Sequence, residues 1–459
     1  MRPSRWRRST RAVLGAAALA CVATVVAAAA VFTAGGRETK TVRIPPPPHP
    51  VTAAPGVIPV APGAPAPSEA GLAAALAAQL ADPNLGRLGG RVTDAMTGKT
   101  LWRQLDDVPL QPASTNKLLT AAAALLTLDR EAQVTTRVVA ADEPGVVVLV
   151  GGGDPTLSAA PPGQDTWYRG AARISDLADQ IRRSGVTPTA VRVDTTAFTG
   201  PTTAPGWDPA DIDGGDVAPI ESVMLDAGRI QPATAESTRS HTPALDAGRA
   251  LAGALGLDPA AVSIAAAPPG ARELAAVRSA PLIERLGEMM SVSDNVLAEC
   301  IAREVAAAMH RPRSFAGAVD AVTDRLRAIH VDTAGAALAD SSGLSADDRL
   351  TAKTIDDVVQ AAAGPGAPQL RALLDLLPVA GGSGTLTNRF HDPSTDADAA
   401  GWLRAKTGSL TATNALAGVV TDSSGRVLTF ALISNDAGPT GRIALDALAA
   451  RLRTCGCLT

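Results

Sequence analysis

Apolar residues along this chain fall into two periods, and each marks its own kind of element. From Leu118 to Leu128 almost every position is Leu or Ala, both strong helix formers. Pro112 suits a first helical turn, where its missing N–H has no partner anyway. A buried helix is predicted there, with Ser114 in its first turn and Lys117 three residues on, on the same face. Helical spacing also predicts helices over 72–80, 175–184, 244–255, 279–290, 296–309, 314–329 and 444–452. Short β-branched or alternating runs predict strands at 90–94 and 101–102 about a turn at Thr97-Gly98, at 146–150 and at 191–194. A hairpin is predicted from 415–420 and 427–433, turning at Ser423-Ser424-Gly425. From Val134 to about Gly270 the character changes, and this stretch reads as an inserted domain with its own small sheet.

Length and composition narrow the classes. A chain of 459 residues has room for two or three domains. Its hydrophobic content of 46% comes mainly from Ala, with 2% aromatics. The core is therefore aliphatic, and stacking on aromatic platforms is not the main recognition mode. The net charge is −4, and no long basic run follows the first residues, which argues against nucleic acid as a partner.

The N-terminus carries Arg2, Arg5, Arg7, Arg8 and Arg11, then 25 uncharged residues from Ala12 to Gly36. That span is long enough to cross a bilayer. Arginines before it place residues 1–11 in the cytoplasm and the rest of the chain outside. The competing reading of 12–36 is a cleaved signal peptide, which would leave a secreted or periplasmic protein. Residues 37–69, with Pro45 to Pro48 consecutive, form a Pro/Ala-rich linker. Of four cysteines, Cys21 lies in the apolar span. Cys300, Cys455 and Cys457 would face an oxidising exterior, and three thiols leave at least one unpaired within the chain.

Three short motifs carry candidate chemistry. Ser114-Thr115-Asn116-Lys117 sets a serine hydroxyl one turn from a lysine amine, a plausible activated nucleophile. Ser293-Asp294-Asn295 lies between two predicted helices. Residues two apart share no helical face, so Ser293 and Asn295 point together only from a turn; helix capping is the plainer reading. Lys406-Thr407-Gly408, followed by Ser409, precedes the hairpin and is predicted on a strand. A lysine and a hydroxyl facing a cleft can bind a substrate carboxylate, and Gly408 removes a side chain from the path of a peptide backbone. Each motif alone also fits ordinary surface or capping roles. In this order they form the set found in penicillin-binding proteins and class A β-lactamases.

The chain resembles the low-molecular-mass class C penicillin-binding proteins, the DacB-type D-alanyl-D-alanine carboxypeptidase/endopeptidase family. The matching stretches include 112–117, 152–157, 279–282, 293–299, 342–345, 377–381 with 384–386, and 406–410. They span roughly 70–436. The resemblance implies an α+β fold: a transpeptidase-like catalytic domain with an antiparallel sheet, flanking helices and an all-helical lobe. It divides the chain into that domain at 70–133 and 271–459 and an inserted, smaller α/β domain at 134–270. The 179 positions between Ser114 and Ser293 hold this insert, which is shorter than many in the family.

By position, the resemblance makes Ser114 the acylated nucleophile, Lys117 its general base and Ser293 the proton relay to the leaving amine. Asn295 would bind the substrate amide, and Lys406, Thr407, Gly408 and Ser409 would bind its terminal carboxylate and backbone. The backbone N–H groups of Ser114 and Ser409 would form an oxyanion hole. No cofactor or metal is implied. The implied partners are peptidoglycan stem peptides, with β-lactams as covalent inhibitors and the membrane as a partner of the N-terminal segment. Two other readings remain: a β-lactamase, or a catalytically silent wall-binding or β-lactam-sensing module. Class A β-lactamases place a deacylating glutamate well after Ser-Asp-Asn, and here no glutamate follows Glu304.

Overall fold

The computed structural model describes residues 63–456 apart from 233, 235 and 236. The basic segment, the apolar span, most of the linker, Cys21 and Cys457 lie outside the described residues. Among the described residues no helix is long and apolar enough to cross a membrane.

Among the described residues, ten strands form two five-stranded sheets. In chain order they are β1 (Arg87–Asp94), β2 (Thr100–Gln104), β3 (Thr135–Ala140), β4 (Val146–Val150), β5 (Ala190–Asp194), β6 (Ser263–Ile264), β7 (Glu273–Arg278), β8 (Leu403–Leu410), β9 (Thr413–Thr421) and β10 (Val427–Asn435). The first sheet runs β2-β1-β10-β9-β8 and is antiparallel throughout. The first described strand thus pairs with the last described one.

The period-2 pattern of β9 and β10 decides how this sheet packs. Ala415, Ala417, Ala431 and Ile433 face a core built with the helices Lys117–Thr127, Leu282–Ser291, Asn295–Ala308, Phe315–Arg327 and Ala352–Ala363. Leu416, Val420, Leu428, Phe430 and Leu432 face the other way, onto Leu72 and Leu76 of helix Glu69–Leu80 and Leu445 and Leu448 of helix Gly441–Thr454. One sheet is therefore buried on both faces. The first helix starts where the linker was expected to end: Ser68 caps it, accepting from the Gly71 N–H at 3.0 Å.

The second sheet runs β6-β5-β4-β3-β7. Its β4–β5 and β5–β6 pairs are parallel and its β3–β4 and β3–β7 pairs antiparallel. Helices Ile174–Arg183 and Pro243–Leu255 cover it through Leu177, Ile181, Ala247 and Leu251. Its last strand, Glu273–Arg278, lies beyond the border expected at 270. That strand pairs with β3, so the sheet closes only at Arg278.

One further point differs from the sequence reading. Helix Ala352–Ala363 was not expected, although Ile355, Val358, Val359 and Ala362 are all buried. Cys455 is disulfide-bonded, while Cys300 is a free, fully buried thiol.

Candidate active site

The chain turns sharply before its first core helix. Ala113 takes φ +47°, a left-handed conformation that L-residues seldom adopt. Residues Ala113–Asn116 then wind as one 3-10 turn running straight into helix Lys117–Thr127. Ser114 thus lies one turn earlier than predicted, in the tighter helix. Side chains three apart eclipse in a 3-10 turn, and Lys117 Nζ donates to Ser114 Oγ at 2.9 Å.

Lys117 is fully buried and its amine has two more acceptors. It donates to Asn295 Oδ1 at 2.5 Å and to the Ser342 carbonyl at 2.8 Å. Burial pulls its pKa from the usual lysine value down to about 8, against the opposing pull of the Asp340, Asp294, Glu299 and Asp348 carboxyl groups.

Ser293 and Asn295 do point together, and the backbone explains how. Ser293 takes φ +62°. Asp294 caps the next helix, accepting from the Leu297 N–H at 3.0 Å, and Asn295 is that helix's first residue. The capping reading and the functional reading therefore both describe this turn. Ser293 Oγ accepts from Lys406 Nζ at 2.8 Å. Asn295 uses both ends of its amide, accepting from Lys117 and donating from Nδ2 to the Asp216 carbonyl at 3.0 Å.

Lys406 lies on β8 as predicted and is fully buried. Burial, then the Lys117 charge, then Arg389 hold its amine well below the usual lysine range. Two like charges buried near each other disfavour each other. Thr407 Oγ1 donates to Thr385 Oγ1 at 2.9 Å. A Cβ on Gly408 would lie 2.9 Å from the Pro112 carbonyl oxygen and 3.1 Å from the Ser114 nitrogen. Only glycine lets β8 lie this close to the serine turn. Ser114, Ser293, Asn295, Thr407 and Ser409 line one cleft of about 530 Å³.

Several residues around the site were not expected. Asp211, Asp216, Thr385, Arg389 and Arg442 also line the cleft. Behind the Ser-Asp-Asn turn, the chain's one tyrosine, Tyr168, donates to Asp294 Oδ2 at 2.7 Å and accepts from Arg229 at 2.7 Å. Burial works to raise the Asp294 carboxyl, but Arg239, Arg229 and Tyr168 together hold it below the usual carboxylate range. Arg229 and Tyr168 are 65 and 126 positions away in sequence. No local pattern signals them.

Comparison with known proteins shows the family. The family model described as D-Ala-D-Ala carboxypeptidase 3 (S13) matches residues 72–239 and 232–452. A second, described as Carboxypeptidase Rv3627c-like, N-terminal domain, matches residues 1–59. The chain is 70% identical to Carboxypeptidase Rv3627c of Mycobacterium tuberculosis (strain ATCC 25618 / H37Rv) and 66% identical to Carboxypeptidase DacB of Mycolicibacterium smegmatis, over the whole of each chain. Penicillin binding protein 4 (dacB) from Haemophilus influenzae has a similar fold. Its crystal structure matches at TM-score 0.67 and 22% identity, over 84% of this chain and 98% of that one. Its complex with a β-lactam matches at TM-score 0.61, over 83% and 98%. This chain therefore belongs to the D-Ala-D-Ala carboxypeptidase 3 (S13) family.

Proposed function

We propose that Ser114 is the nucleophile of this D-Ala-D-Ala carboxypeptidase and that it trims peptidoglycan stem peptides through an acyl-enzyme. The observation that carries the reading is the Lys117–Ser114 hydrogen bond at 2.9 Å, between a buried amine and a half-buried hydroxyl. In the free-base form Lys117 takes the Ser114 proton as Oγ attacks the carbonyl carbon of the penultimate D-alanine. The N–H groups of Ser114 and Ser409 stabilise the oxyanion. Collapse breaks the peptide bond, and the proton reaches the departing D-alanine amine through Ser293. Water then cleaves the Ser114 ester, releasing the shortened peptide and restoring the serine. Asn295 holds the substrate amide, and Lys406 and Thr407 hold the terminal carboxylate.

A β-lactam presents the same acyl group in a ring and acylates Ser114 by the same attack. The related protein from H. influenzae is described in complex with a β-lactam, which supports this. The test is Ser114→Ala. Release of D-alanine from a D-Ala-D-Ala peptide and covalent labelling by a fluorescent penicillin should both vanish in the folded variant. Labelling at the wild-type rate would place the chemistry on another serine. Assay on cross-linked and uncross-linked muropeptides separates endopeptidase from carboxypeptidase activity.

We also infer that residues 12–36 hold the chain in the cell membrane with its catalytic part outside. The 25 uncharged residues and the preceding arginines support this. Recovery of a soluble mature chain starting after about residue 30 would make the segment a cleaved signal peptide instead.

A further inference from the structure

The polar turn Asp340-Ser341-Ser342-Gly343-Leu344-Ser345 has no part in the chemistry above, yet it touches the base. The Ser342 carbonyl accepts from Lys117 Nζ at 2.8 Å. A neutral amine has two N–H donors and one lone pair, and Lys117 has three neighbours. If Ser342 O and Asn295 Oδ1 accept the two N–H groups, the lone pair has one direction left, toward the Ser114 hydroxyl. The position of one backbone carbonyl therefore decides whether the base is aimed.

That carbonyl is held by the Asp340 side chain. Oδ1 accepts the N–H groups of Ser342 at 3.0 Å and Gly343 at 2.6 Å. Oδ2 accepts the Ser345 N–H at 2.8 Å and Trp207 Nε1–H at 2.7 Å. Four N–H donors suit an ionised carboxylate, which only accepts. The turn is tied on its other side as well. Thr120 donates to the Ser341 carbonyl at 2.7 Å, Ser341 donates from its N–H to Glu299 at 2.9 Å, and Asn116 donates to the Asp340 carbonyl at 3.2 Å. Gly343 sits at φ +81°, and a Cβ there would lie 2.0 Å from the Ala113 carbonyl oxygen. Asp340 and Ser342 are completely buried.

We propose that Asp340 is a positioning residue: it fixes the Ser342 carbonyl so that the free Lys117 amine presents its lone pair to Ser114. Its charge, near the same amine, also favours the ammonium form. The assignment rests on Lys117 being the base. Other groups around Lys117 contribute to the same field. Asp294 faces it paired with Arg229 and Tyr168, and Glu299 paired with Arg303. Asp348 adjoins Asp340 with its carboxyl pushed up to about 10 by burial and by Asp340. Lys406 lies near as well, and the Lys117 charge lowers its amine. Asp340 is the first of the carboxylates that raise the Lys117 value.

Two variants give opposite signs. Asp340→Asn removes the charge and turns an amide N–H₂ toward the Ser345 or Trp207 donors. Acylation by fluorescent penicillin should fall about tenfold or more at its plateau, as a misaimed base predicts. The acidic limb of its pH profile should move to lower pH by about half a unit or more. Trp207→Phe keeps the charge but removes one donor, so Asp340 attracts the Lys117 proton more strongly and the limb should move to higher pH. Circular dichroism checks folding, and if Asp340→Asn does not fold, the Trp207→Phe limb decides alone. A limb that stays at the wild-type pH or moves the other way in a folded variant, even with reduced amplitude, would overturn the proposal. Failure of wild-type Ser114 to label would instead refute the reading on which it rests.

Discussion

The acylation rate of Ser114 should rise about tenfold between pH 7 and pH 9. Burial of Lys117 brings its pKa to about 8 from 10.5. That difference corresponds to about 3 kcal/mol against the ammonium form. With a value near 8, about a tenth of the sites hold the free amine at pH 7 and about nine tenths at pH 9. An unperturbed lysine would offer roughly one free amine in 3,000 at pH 7. Burial thus makes the base about three hundredfold more available at neutral pH. The assay is single-turnover labelling by fluorescent penicillin from pH 6 to 10, in parallel with D-alanine release from a D-Ala-D-Ala peptide. Lys117→Ala should lose about 10²–10⁴-fold in rate and lose the inflection too. A flat wild-type profile through pH 8, or an inflection that survives in folded Lys117→Ala, would refute the assignment of the base.

Three further outcomes follow from the same contacts. Lys406→Ala should weaken carboxylate recognition, and by removing a neighbouring cation it should move the acidic limb of acylation to higher pH; an unmoved limb would show that the two lysines are not coupled. The penicilloyl-Ser114 ester should be long-lived, because Glu299 is tied to Arg303 and the Ser341 N–H, and Glu304 to Arg285, rather than aimed at the cleft. Nitrocefin turnover above about 10 s⁻¹, the median for enzymes, would contradict this. Cys300, buried and with its thiol pushed well above the ordinary range by its surroundings, burial first, should resist iodoacetamide in the native protein and react once unfolded. Mass mapping of its peptide gives the answer, and native-state alkylation at the unfolded rate would show that the core is open there.

The elements and the site were legible in the sequence to different depths. Strand Val146–Val150 ends where its apolar run ends, and the helices over 69–80, 174–183 and 243–255 follow their apolar stripes closely. Helix Ala352–Ala363 carried an equally readable stripe, with Thr351 accepting from the Thr354 N–H as its cap, yet it is missing from the sequence reading. Strand Glu273–Arg278 was harder: Glu, Leu, Ala, Ala, Val and Arg have mixed propensities, and only its pairing with β3 makes it a strand. Motif spacing brought Ser114, Lys117, Ser293, Asn295 and Lys406 into one list, and hydrogen bonds join Ser114, Lys117 and Asn295 in one set and Ser293 with Lys406 in another. The left-handed turns at Ala113 and Ser293 were not readable, since neither is a residue type that announces positive φ. Such strain persists only where surrounding contacts over-determine it.

Those contacts come largely from the segment read as an insert. Tyr168 and Arg229 satisfy the buried Asp294 carboxylate, the Asp216 carbonyl takes the Asn295 amide, and Trp207 takes the Asp340 carboxylate. Each bond ends on a group that itself orients Lys117 or the Ser293 turn. Removing one partner of a buried ionic pair typically costs about 3–5 kcal/mol, because a buried charge is left uncompensated. A chain with the 134–270 segment excised would lose Tyr168, Arg229, the Asp216 carbonyl and Trp207 at once, along with four strands of the second sheet, stranding β7. The segment is therefore part of what shapes the Ser-Asp-Asn turn.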